Sequence, residues 1–119
     1  MTEKNTTIDR YQIEILQWLY RTSITELDAS PYLAGKQEAL YQHSYIDRNR
    51  LGIELVREDF DSEEILLNTQ KNIPVIEISV SETEKDQPHC SVQGICRDDE
   101  LSAYFEALWQ AMLKKFAGV

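Results

Sequence analysis

At residue 51 the spacing of apolar side chains changes from helical to alternating, and this switch constrains the fold more than any other feature of the chain. Leu51, Ile53 and Leu55 alternate with Gly52, Glu54 and Val56, the two-residue period of a strand. Upstream, Ile8, Tyr11, Ile15, Trp18 and Leu19 fall on one helical face, which Ile13, Leu16 and Tyr20 widen. Thr6 with Asp9 reads as a capping pair at the start of that helix. Ser23-Ile24-Thr25-Glu26 reads as a capping box for a short second helix ending near Ala29. Ser30-Pro31 then places proline at the first position of a third helix. That helix runs towards Asp47 with Leu33, Leu40, Tyr41 and Tyr45 inward, and Gly35 interrupts its first turn.

Downstream the punctuation is sharper. In Phe60-Asp61-Ser62-Glu63-Glu64-Ile65, Asp61 caps a helix, Glu64 completes the box and Phe60 staples onto Ile65. The helix ends near Lys71, where Asn72 accepts a left-handed conformation and Pro74 blocks continuation. Residues 75–80 alternate as a strand, 81–89 are a polar loop, and 90–97 alternate again with Gly94 as a candidate bulge. Asp98 or Asp99 caps a long final helix striped by Leu101, Phe105, Leu108, Met112 and Phe116, with Lys114 and Lys115 at its negative end. The expected order is α-α-α-β-α-β-β-α. This is an α+β fold with a helical N-terminal half, then a small three-stranded mixed sheet (β-α-β-β) closed by a long C-terminal helix. A strand, a helix and a strand predict a right-handed parallel unit.

With 119 residues, 42% of them hydrophobic, the chain is expected to be a single domain spanning 1–119 that buries roughly two-thirds of its unfolded surface. It needs neither disulfide nor metal to hold together. Two cysteines are not a secreted framework. The first residues, Met1-Thr2-Glu3-Lys4-Asn5, carry no signal-peptide pattern, and no apolar run approaches the roughly 18 residues of a membrane span. A cytoplasmic protein without a membrane partner is therefore expected. The net charge of −9 is divided unevenly. Residues 1–57 carry 7 Lys/Arg and 8 Asp/Glu, a balance of −1; residues 58–119 carry 5 and 13, a balance of −8. Such an acidic half disfavours phosphate backbones and favours a basic protein surface.

Each arrangement that could carry chemistry has a plainer structural reading. His89, Cys90 and Cys96 offer metal ligands, but on one straight strand the two sulfurs stand roughly 20 Å apart, and the spacing matches no zinc pattern. Both cysteines read as small hydrophobes on the inward face of that strand. His43 has no sequence feature that brings it to either thiol as a base. Glu54, Asp59, Asp61 and Glu77 stand near strand ends, where metal-dependent nucleases place acids, yet Glu77-Ile78-Ser79 lacks the companion lysine. No catalytic group, metal site or cofactor is assigned.

Two binding readings follow. The helices over 15–19, 23–27 and 38–43, followed by Leu51-Gly52-Ile53-Glu54-Leu55-Val56-Arg57, are similar in rhythm to a winged-helix domain. That likeness implies DNA contacts by Gln42, His43, Arg48 and Arg50, with 58–119 serving dimerisation or sensing. Against it stands the −1 balance where a basic face is required. The favoured expectation is a non-enzymatic, acidic protein-binding domain, either an immunity-type inhibitor or a chaperone/adaptor. It would meet a basic protein through Glu58, Asp59, Glu63, Glu64, Glu82, Glu84 and Asp86. A homodimer is compatible with this reading.

Overall fold

The computed structural model describes residues 1–34, 40–57 and 73–118. In chain order these form strand β1 (Thr2–Ile8), helix α1 (Gln12–Ile24), the short helix α2 (Ser30–Leu33), strands β2 (Leu40–Asp47), β3 (Arg50–Arg57), β4 (Ile76–Glu82) and β5 (Cys90–Cys96), a 3₁₀ turn (Asp99–Leu101) and helix α3 (Ser102–Phe116). The five strands make one sheet in the order β1-β5-β4-β3-β2, with every neighbouring pair antiparallel.

The helical N-terminal half and the three-stranded mixed sheet are therefore corrected. Thr6 does not cap a helix, because it lies inside β1 opposite Val92. Ser23 does not open a second helix either; it is buried in the last turn of α1. Ser30-Pro31 does start a helix, but this one ends at Leu33, and residues 40–47 pair with β3. β3 and β4 are antiparallel, Ile53 facing Ile76, so the chain returns to the end of β3 that it left and makes no crossover. Gly94 is not a bulge: the register runs through it unbroken, from Ile76 facing Cys96 to Glu82 facing Cys90. The expected helix between Phe60 and Lys71 lies outside the described residues, as does the interruption at Gly35.

One face of the sheet carries the core. Leu51, Ile53, Ile76, Ile78, Val80, Cys90, Val92 and Cys96 are buried on it, at every second position along their strands with Gly94 between Val92 and Cys96, as the pleat requires. α1 covers this face with Ile15, Leu16 and Leu19, and α3 with Tyr104, Phe105, Leu108, Trp109 and Met112. Asp98 positions the second layer: its carboxylate accepts from the Glu100 amide at 2.9 Å, fixing the turn that aims α3 across β5. β1 is tied to α3 by Lys4 Nζ, 2.6 Å from Glu106 Oε2. The opposite face of the sheet is polar, and no described helix covers it. Among the described residues, no helix is long and apolar enough to cross a membrane.

Candidate functional site

The anticipated acidic residues divide. Glu58, Asp59, Glu63 and Glu64 lie outside the described residues. Glu82, Glu84 and Asp86 sit on the β4–β5 hairpin, where residues 81–88 are all exposed. The turn is held locally: the Thr83 amide and hydroxyl both donate to the His89 carbonyl, at 3.2 and 3.1 Å, and the Asp86 amide donates to Glu82 Oε2 at 3.3 Å. Asp86 adopts φ 60°, a conformation that Asp tolerates better than most residues. Because Ile8 pairs with Cys90, the residue after β1 reaches the same corner, and Asp9 Oδ1 lies 2.5 Å from His89 Nδ1. The fold thereby adds a fourth carboxylate that sequence spacing could not supply, 80 residues away in the chain.

The residues assigned to DNA contact do not come together. Gln42 turns inward and braces α1 against β2. Its Nε2 donates to the Ser23 carbonyl at 2.6 Å and to Ser44 Oγ at 2.5 Å, and its Oε1 accepts from the Ala29 amide at 2.8 Å. His43 is on the polar face of the sheet, stacked on Tyr45 at 5.7 Å between ring centroids. Arg48 occupies the two-residue turn between β2 and β3 at φ 58°. Arg50 is committed to carboxylates, its Nη1 2.5 Å from Glu77 Oε1 and its Nη2 3.3 Å from Asp47 Oδ2. Over 40–47 the recognition helix that this reading needs is replaced by β2.

The polar face instead holds a charged ladder. Glu77 is gripped on both oxygens, by Arg50 and by Arg97 Nη2 at 3.1 Å, while Arg97 Nη1 donates to the Pro74 carbonyl at 2.8 Å. Burial alone would raise the Glu77 pKa, but hydrogen bonds from Arg50 and Arg97 outweigh it and hold the carboxyl below its ordinary value. Tyr45 lies over Gly52, and burial, followed by the charge of Glu54, pushes its hydroxyl up. With both Glu77 oxygens already paired to arginines, this ladder is organised for strand pairing rather than proton transfer.

Cys90 and Cys96 are free and buried on the inward face of β5. Their thiols donate to the Arg10 and Asp98 carbonyls, each at 3.3 Å. Burial raises the pKa of both, as does the charge of Glu82 beside Cys90, so neither resembles an activated nucleophile. His89 is turned towards Asp9. Among the described residues, no group of three or more His, Cys, Asp or Glu is arranged to hold a metal ion.

A concavity that sequence reasoning missed lies between the C-terminal turns of α1 and α3. Its walls include Trp18, Arg21, Lys114 and Lys115, and its volume is 610 Å³. Each helix ends on basic residues, but only the packing of α1 beside α3 brings the two sets together. No family model, no curated protein and no solved structure matches the chain.

Proposed function

We propose that the chain is a non-enzymatic protein-binding domain that engages a basic protein, in the manner of an immunity-type inhibitor or a chaperone/adaptor. The observation that carries this reading is the corner formed by Glu82, Glu84, Asp86 and Asp9. Three of these carboxylates project from an exposed hairpin, and Asp9 is brought beside them by the β1–β5 pairing. Lys85 is the one Lys or Arg within 82–89, so the tip is net negative. A net-negative, fully solvated tip steers a cationic partner at long range and adds little desolvation cost. The run Glu58, Asp59, Glu63 and Glu64, in the same acidic half of the sequence, adds further negative charge in this proposal.

The test is kinetic. A partner captured from the native host by the intact chain should associate more slowly as salt rises, with dissociation changing less. Reversal of the tip charges in E82K/E84K/D86K should slow association further without altering the circular dichroism of the domain. Capture that is equally efficient with the reversed variant, or an association rate insensitive to salt, overturns the proposal.

A further inference from the structure

We propose that the groove between α1 and α3 binds an acidic polypeptide segment, seating its carboxylates on Arg21, Lys114 and Lys115 and an apolar side chain against Trp18. This is a second surface, independent of the acidic hairpin, and it runs against the charge of the molecule as a whole. Among the nine described Lys and Arg side chains, Lys4, Arg10, Arg50 and Arg97 are ion-paired. Arg21, Arg48, Lys85, Lys114 and Lys115 have no ion pair among the described residues. Arg48 and Lys85 are isolated in two different turns; the other three line one groove. Glu26 is the one acidic residue in the same lining, so the local balance is positive in a chain of net −9.

The wall is amphipathic in the way a peptide requires. Trp18 is half-buried, and its ring meets Phe116 edge-on at 5.5 Å between centroids. A shallower extension of 260 Å³ continues past Trp18 to Glu14, Gln17 and Phe116. The main volume falls within the range of small-ligand sites, and a cleft between two helices is a common seat for an apolar anchor. Helix-end electrostatics favours each of these cations separately, because the C-terminus of a helix is its negative end. That effect does not account for the convergence of both basic ends on one open, Trp-lined cleft. A polypeptide fits better than a nucleic acid. The acidic remainder of the surface repels an extended polyphosphate, whereas a short segment places its charges within a Debye length of the three cations, about 8 Å in physiological salt.

The experiment is a titration of the full-length, ¹⁵N-labelled chain with a synthetic peptide of repeated Asp-Glu-Leu, against an Asn-Gln-Leu peptide of equal length and a single-stranded oligonucleotide of equal charge. The acidic peptide should produce saturable shifts at the Trp18 indole, Arg21, Lys114 and Lys115. In R21E/K114E/K115E, whose changes are all at exposed positions, its affinity should fall by about tenfold or more, and the uncharged peptide should not bind. If the cations served only the helix ends, the triple variant would unfold at lower urea while its folded fraction bound the peptide normally. That result overturns the proposal, as does the absence of shifts at millimolar peptide. Equal binding of the oligonucleotide at the same residues makes the groove a general polyanion site. Concentration-dependent shifts there without peptide make it a self-association surface. Either outcome replaces the proposed occupant.

Discussion

A Cβ built on Gly94 falls 2.8 Å from Phe105 Cζ and 2.8 Å from Trp109 Cζ3, so the missing side chain is what lets α3 settle on β5. Both rings are almost wholly buried and have no free volume into which to retreat, as expected of a close-packed interior. Gly52 presents the same problem in milder form. Its Cβ would meet the far end of Tyr45 at 2.3–2.8 Å, but Tyr45 belongs to the polar face and is only half-buried. The two alanine variants should therefore separate in urea denaturation. Gly94→Ala should lose about 1–3 kcal/mol, the usual cost of overpacking a filled core, and Gly52→Ala less, because the end of a single half-buried side chain opposes it. Equal losses, or a neutral Gly94→Ala, would show that the α3–β5 contact is looser than this geometry.

At the scale of elements, the sheet is registered by its core on one face and by the Arg50–Glu77–Arg97 ladder on the other. Glu77 is paired in the folded state and free in the unfolded chain, so its pKa is lower when folded. The sign follows directly. A depressed carboxyl contributes stability that is present above its ordinary value and is lost as pH falls through the folded-state value. Glu77→Gln should cost about 1–3 kcal/mol at neutral pH, by removing the negative charge and one of the two acceptor oxygens that Arg50 and Arg97 share. It should also flatten the acid limb of the stability–pH curve; an unchanged acid limb would count against the ladder. The legibility of the elements follows the same division of faces. β3, β4 and β5 could be read from alternation because their inward residues are apolar and most of the intervening ones, apart from Val56 and Ile95, are polar or glycine. β2 could not, since its inward positions include Gln42 and Ser44, held by hydrogen bonds to α1 instead of by burial of hydrocarbon. The apolar residues Leu33, Leu40, Tyr41 and Tyr45 then mimic a helical spacing. β1 was hidden for a related reason: as an outermost strand it presents Glu3, Asn5 and Thr7 to solvent, and Ile8 alone among its residues reaches the core. The hairpin acids were visible as charge. Asp9 and the Arg21–Lys114–Lys115 cluster were not, because only long-range packing assembles them.

On the scale of the whole molecule, β1 closes the fold over the greatest sequence distance. It pairs with β5 from Thr2 facing Cys96 to Ile8 facing Cys90, so a strand from the start of the chain completes a sheet whose remaining strands follow one another in order. Closing a loop of this length carries the largest entropic cost of any strand pairing in the sheet, and β1 is the element whose loss most cleanly tests the architecture. Removing residues 2–8 leaves the hydrogen-bonding edge of β5 open, takes Ile8 from the core and deletes the Lys4–Glu106 tie. The two thiols report the result. In the intact chain both are buried, and burial raises their pKa, so at neutral pH they are protonated and shielded. With the folded-state pKa raised, the stabilising difference is present below the ordinary thiol value and is lost as pH rises towards the folded one. Ellman's reagent should therefore modify the intact protein only at the rate of local or global opening. After deletion of 2–8, modification of Cys90 and Cys96 should accelerate by at least an order of magnitude while α3 retains its helical signal. Rapid, stoichiometric modification of the intact chain, or identical rates in the two proteins, would mean that β1 does not seal the β5 side of the sheet.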